Sequence, residues 1–315
     1  MYNITVNESN EDNFAAKVGT AAADGVLLLI IIIGTPLNLL VLAALLTASD
    51  ELVKSIRVIL FNSLAACVIG DLGSSIYHIS TLIFLSGSPS PIHSDLVCFS
   101  VTFLDITSSS GRVLFAVYYA LTVFIVVRWW NQPVLAPRNT KYFIIAAVFV
   151  WLLAIIVYIP VLVYEEVSKI CASFPRGSLD VDFRLTIYAT LPYFFVSAIP
   201  IGITPVILII ISCYIKHNSI GEHVESKKAL VKFGFFLLII QGVNGIAQIV
   251  SPLLLVIGIS LKSTSMTTTV AVTTAVSDLS RIPTNLLIII FFKPVLDKLK
   301  KWICCYFSLI GLSMR

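Results

Sequence analysis

Apolar positions along this chain come in long runs interrupted by short polar stretches, with neither the period-2 alternation of half-buried strands nor the narrow stripe of soluble helices. Seven runs of roughly 20 residues or more stand out, at 25–47, 59–85, 97–127, 142–164, 185–214, 230–259 and 268–292. In hydrocarbon every backbone N–H and C=O must be bonded within the chain, and a helix does this inside one segment. The pattern predicts an all-α membrane protein, a seven-transmembrane helix bundle with a short amphipathic surface helix after the seventh span. Residues 1–24 then form an extracellular N-terminal segment, 25–292 the bundle, and 293–315 a cytoplasmic amphipathic helix and tail.

Composition agrees. The chain is 58% hydrophobic and 12% charged, against about 45–50% and about 25% for soluble domains. Charge placement adds a direction. If the N-terminus is outside, inner segments hold fourteen of the 21 Lys and Arg residues and outer segments five, while Arg112 and Arg281 fall within spans. The positive-inside rule then predicts N-out, C-in. Two glycosylation sequons, at Asn3 and Asn7, fall on the side expected to be extracellular. The chain opens on a polar stretch without a basic region, so no cleaved signal peptide is expected.

Prolines punctuate the spans at Pro36, Pro160, Pro192, Pro200, Pro205 and Pro283, where kinks are expected. No internal repeat is visible, which weighs against a repeat-built transporter. Beyond the seventh span, "FFKPVLDKLKKWICC" lets Phe291, Phe292, Val295, Leu296, Leu299, Trp302 and Ile303 share one face, with lysines opposite. This is the pattern of a helix lying on the inner leaflet of the lipid bilayer.

Of six cysteines, Cys98 lies at the outer mouth of the third span and Cys171 in the second outer loop. Both face an oxidising compartment, and the sequence leaves either a bridge between them or two free thiols. Cys304 and Cys305 follow a basic stretch just inside the membrane, a setting for palmitoylation. Cys67 and Cys213 read as small core residues. There is no His/Glu metal motif, nucleophile elbow or phosphate loop, and His78 and His93 have no visible partners. The expectation is a protein that is not an enzyme, with no cofactor or metal and no nucleic-acid partner.

Several residues in order along the spans resemble the rhodopsin-like (class A) G-protein-coupled receptors. "GTPLNLLVL" is similar to the family's first-helix motif, with Asn38 as its asparagine; Trp151 resembles the fourth-helix tryptophan; Pro205 with Tyr214 resembles the fifth helix; and "RIPTNLL" places Pro283 at the family's seventh-helix proline. The resemblance covers nearly the whole chain. It implies a Cys98–Cys171 disulfide, a ligand cavity opening outward, and signalling to a heterotrimeric G protein. The departures are specific. The Asp-Arg-Tyr triplet falls at Thr122-Val123-Phe124, with Arg128 more than a turn beyond; the sixth-helix Cys-Trp-x-Pro motif is missing; Ile282 and Leu286 replace the Asn and Tyr that flank the family's proline, here Pro283. For the second-helix aspartate, spacing favours Cys67 and chemistry favours Asp71. Such erosion resembles chemosensory receptors of the fish odorant type.

Ionisable residues inside spans are costly and tend to face the bundle interior. Here they are Asp71, Asp105, Arg112, Asp278 and Arg281. Asp105 and Arg112, seven apart, share one helix stripe about 10 Å apart in depth, too far for a tight direct pair. The resemblance places Asp105, seven residues after Cys98, where amine-binding members carry the carboxylate that meets a ligand ammonium; the alternative is an internal salt bridge to Arg281 or Arg184. It places Arg112 and Asp278 near the family's sodium site, where Arg112 is expected to replace the ion by pairing with Asp278 and with Asp71. Arg281 is expected to reach Asp278 along its own helix. The function expected is a receptor for a small molecule, an odorant or amine. A seven-helix channel or transporter, and a receptor-like protein without G-protein coupling, stay open as alternatives.

Overall fold

The computed structural model describes residues 10–47, 54–85, 95–128, 140–159, 183–217, 224–261 and 279–309. Among them every regular element is helical: α1 Asn10–Thr47, α2 Lys54–Leu85, α3 Asp95–Arg128, α4 Thr140–Ile156, α5 Phe183–His217, α6 Val224–Leu261, α7 Arg281–Phe291 and α8 Lys293–Leu309. Five of these helices, α1, α2, α3, α5 and α6, contain stretches long and apolar enough to cross a membrane; α4 and α7 are shorter apolar helices among the described residues. The protein is therefore all-α with the helices of a membrane protein.

Local chemistry sets several boundaries. α1 runs continuously through Pro36, with Thr35 Oγ1 donating back to the Ile31 carbonyl at 2.9 Å. α5 likewise continues through its prolines, and Thr204 Oγ1 bonds the Pro200 carbonyl at 2.6 Å. α4 ends at Ile156, and the Tyr158 N–H closes a tightened turn on the Ile155 carbonyl; Pro160, four residues on, has no N–H to offer the Ile156 carbonyl. The rest of the apolar run, 160–164, lies outside the described residues. The break between α7 and α8 falls at Phe292, and Pro294 sits in the first turn of α8, where no intrahelical donor is required.

Side-chain contacts give the helix directions. Asp24 meets His78 and Asn38 meets Asp71, so α1 and α2 are antiparallel. Tyr158 bonds Phe99 and Tyr118 bonds Phe143, so α3 and α4 are antiparallel as well. Arg112 meets Asn244 and Tyr119 meets Leu230, which makes α3 and α6 antiparallel, whereas Asn38–Asn285 and Gly34–Ile282 make α1 and α7 parallel. α3 is the central strut, packed on α2, α4, α5 and α6.

The interior has two unlike halves. Toward the end where α1 and α3 finish, the core is apolar: Tyr119 packs on Phe233 with ring centroids 5.1 Å apart, Phe233 on Phe292 at 5.0 Å, and Leu208, Ile288, Val295 and Leu299 close around them. α8 thus contributes Val295 and Leu299 to the core and leaves Ile303, Cys304 and Cys305 exposed. Toward the opposite end the buried residues turn polar: Asp24, Asn38, Asp71, Ser74, His78, Ser108, Arg112, Asn244, Ser280, Arg281 and Asn285. Outward, the helices present large apolar side chains such as Ile33, Leu40, Phe149, Ile203 and Ile239. An apolar exterior around a partly polar interior suits hydrocarbon rather than water. Cys213, expected in the core, is on this exposed surface of α5, whereas Cys67 is fully buried. The two positions cannot be told apart in a helix that is apolar on all sides, because no periodicity marks its inner face.

Candidate functional site

A charged cluster forms where α1, α2, α3 and α7 meet. Its centre is Arg281, 1% exposed, at the start of α7. One guanidinium nitrogen, Nη1, lies 3.4 Å from Asp71 Oδ1 and donates to Ser74 Oγ at 2.9 Å; the other, Nη2, lies 3.4 Å from Asp105 Oδ1. The arginine therefore spans two carboxylates on two helices. A planar fork of donors can do this where a lysine ammonium, a point charge, cannot.

The second Asp71 oxygen is held from α1. Asn38 Nδ2 donates to Oδ2 at 2.5 Å and Thr35 Oγ1, its proton shared with the Ile31 carbonyl, lies 3.3 Å away, and Asn38 Oδ1 in turn accepts from Asn285 Nδ2 of α7. Asp71, rather than Cys67, is thus the α2 residue opposite Asn38. These bonds matter because a carboxylate taken out of water needs both a counter-charge and donors for its remaining lone pairs.

Space for the guanidinium comes from Gly70. A Cβ at this position would lie 2.3 Å from Ser108 Oγ and 2.9 Å from Arg281 Cζ, so only glycine lets the arginine lie across α2. Ser108 itself donates to the Ala66 carbonyl at 2.7 Å, which draws α3 close to α2.

One residue earlier in the chain, Ser280 belongs to a second cluster. Arg112, fully buried, donates through Nη1 to Ser280 Oγ at 2.8 Å and through Nη2 to Asn244 Oδ1 of α6 at 2.8 Å, with Ser109 Oγ at 3.5 Å. Asp105 and Arg112 do share one stripe of α3, and along that stripe they meet the adjacent residues Arg281 and Ser280. The expected Arg112–Asp71 pair is not among the described contacts: Asp71 meets Arg281, Asn38 and Thr35, while Arg112 reaches Ser280 and Asn244 of α6. Asp278, expected to pair with Arg112 and Arg281, lies outside the described residues.

Nearer the start of α1, His78 of α2 is buried and its Nδ1 donates to Asp24 Oδ1 at 2.7 Å. His78 thus has the partner that the sequence did not reveal. The two are 54 positions apart, and only the antiparallel register of α1 and α2 brings them together. His78→Ala leaves the Asp24 carboxylate buried without this donor. The expected loss is on the order of 1–3 kcal/mol, read as a lower melting temperature of the detergent-solubilised chain, with Asp24→Asn/His78→Ala losing less than the two single changes together.

At the far end of α3, Arg128 donates to the Tyr214 hydroxyl at 3.2 Å and stacks 5.2 Å from the ring centre, tying α3 to α5. Trp151 Nε1 donates to Asn62 Oδ1 at 2.9 Å and its ring meets Phe115. Thr122 and Val123, at the place of the family triplet, are fully buried.

Of the other residues singled out in the sequence, Cys98 lies in α3 without a described side chain, and Asn3, Asn7, His93 and Cys171 lie outside the described residues, as does Arg184's side chain. No group of His, Cys, Asp and Glu with the makings of a metal site occurs among the described residues. Sequence reasoning passed over Ser74, Asn244, Ser280 and Asn285. For Asn285 the signal was present, since Arg281, Thr284, Asn285 and Ile288 recur at helical spacing, and the structure buries all four. No family model matches the chain, and no curated protein matches it.

Proposed function

We propose that the chain is a receptor of the rhodopsin-like kind, a seven-helix protein of the plasma membrane with an extracellular N-terminus. It binds a small cationic molecule between the helices and signals to a heterotrimeric G protein. In this reading α4 and the segment ending in α7 complete the set of spans. The observation that carries it is the asymmetry of the ion pair between Arg281 and Asp105: the arginine side chain is 1% exposed and the aspartate side chain 47%. A molecule entering the bundle meets the carboxylate, not the guanidinium. A carboxylate at the edge of a low-dielectric interior makes a charge-assisted hydrogen bond to an ammonium group, and such a partly open ionisable group within a span serves binding more readily than packing. The lattice of polar contacts behind it supports transmission, since a change at Asp105 of α3 reaches α7, α2 and α1 through named hydrogen bonds.

The test is a second-messenger screen of cells expressing the chain against small amines, with an N-terminal tag read on intact cells. Asp105→Asn, which retains Asp71 as the partner of Arg281, is expected to reach the surface and to raise the half-effective amine concentration by about tenfold or more, the loss of one charge-assisted contact. An unchanged response to every active amine, at normal surface level, removes Asp105 from the binding site. A tag that is inaccessible on intact cells and accessible after permeabilisation reverses the topology.

A further inference from the structure

We propose that Arg281 is a tethered competitor of the ligand: its guanidinium occupies Asp105 in the resting protein, and an entering organic cation binds by taking Asp105 from it. The inference rests on the reading of Asp105 as the cation-binding residue and adds what controls access to it.

Three features of the cluster support competition rather than a permanent weld. First, the bond to Asp105 is the dispensable one. Arg281 retains Asp71 at 3.4 Å and Ser74 at 2.9 Å through Nη1 when Nη2 lets go, so displacement does not strand a buried charge. Second, the two carboxylates differ in surroundings. Asp71 is 4% exposed and held by Asn38 and Thr35, whereas Asp105 is open enough for another cation to approach while the guanidinium is still in contact. Third, the guanidinium lies tight against Gly70, where even a Cβ would come within 2.9 Å of Cζ, so it has no room to withdraw toward α2 at that point. A cation arriving at Asp105 thus exchanges one ion pair for another, and its net affinity is lowered by the cost of the contact it replaces.

Methylguanidinium chloride, the end group of the arginine side chain, is the probe, with N-methylurea as the neutral analogue of the same shape and sodium chloride as the ionic-strength control. The full chain is purified in detergent micelles and its melting temperature followed against probe concentration. Arg281→Ala is expected to melt lower than the wild-type chain and to be raised by methylguanidinium in a saturable way, with neither control matching it. The wild-type chain should need at least about tenfold more probe for the same fractional effect. Adding Asp105→Asn to Arg281→Ala should weaken the probe's effect by a similar factor. If Arg281→Ala does not yield folded protein, Arg281→Lys serves: it retains the charge on α7 but cannot span both carboxylates, so it should respond to methylguanidinium more strongly than the wild-type chain. Equal responses of variant and wild type, or a response matched by N-methylurea, overturns the proposal. A probe effect on the purified chain together with an Asp105→Asn variant that signals normally retains the competition and removes Asp105 as the receptor's ligand contact; signalling that depends on Asp105 without any probe effect does the reverse.

Discussion

Arg281→Leu is expected to be among the most damaging single substitutions in the chain. It removes the shared counter-charge of Asp71 and Asp105 and the donor to Ser74, leaving at least the Asp71 carboxylate buried with neutral partners only. Stripping one partner from a buried ion pair costs about 3–5 kcal/mol, because the remaining charge loses its compensation but not its desolvation. The leucine fills much of the vacated volume, so the loss is electrostatic rather than a cavity effect. The check is a double-mutant cycle with Asp71→Asn, followed by melting temperature in detergent and by surface expression. The neutral amide still bonds Asn38 and needs no counter-charge, so the double variant should recover a substantial part of the loss. Strictly additive losses would show that the two side chains do not depend on each other.

Gly70→Ala is expected to have nearly as large an effect from a single methyl group. The added carbon would fall 2.3 Å from Ser108 Oγ and 2.9 Å from Arg281 Cζ. Ser108 can rotate away, but only by giving up its bond to the Ala66 carbonyl, and the guanidinium has no equally good position from which to span both aspartates. Overpacking of a well-packed site costs about 1–3 kcal/mol, and partial loss of the ion pairs adds to it. In the Arg281→Ala background, where the tightest charged neighbour is gone, the same methyl should cost much less. The melting temperatures of the four proteins settle this: an undiminished penalty without the arginine would place the clash at Ser108 alone and remove the seat from Gly70.

Much of the helical layout was legible in the sequence because long apolar runs have one solution in hydrocarbon. The runs at 25–47, 59–85, 97–127, 185–214 and 230–259 each fall largely on one of the long helices. Helix ends were less legible. α1 begins at Asn10, in a segment whose polarity suggested none, and α4 ends at Ile156, whose carbonyl Pro160 has no N–H to meet. Asp71, Asp105, Arg112 and Arg281 could be singled out by their cost in a span, yet their pairing could not be read. Arg281 has Asp278 three positions back in the sequence, and sequence spacing offers only such local partners. Asp71 and Asp105 reach it through the relative depth of three helices, which depends on how the helices pack and carries no periodic signature. Asn285, two positions after Pro283, escaped for a related reason: its partner Asn38 is 247 positions away.

Ser280 and Arg281 are joined by one peptide bond, yet their side chains serve different helices, Ser280 meeting Arg112 and through it Asn244 of α6, Arg281 meeting Asp71 and Asp105. Neither can be shifted without carrying the other. In the receptor reading proposed above, a preference that α6 acquires for a bound partner would be felt as a changed affinity at Asp105, and by thermodynamic reciprocity occupancy of Asp105 would change the affinity for that partner by the same factor. The dipeptide is thus the covalent link between the two clusters, and in that reading a residue inserted between Ser280 and Arg281, which turns one side chain away from its partners, would weaken the exchange.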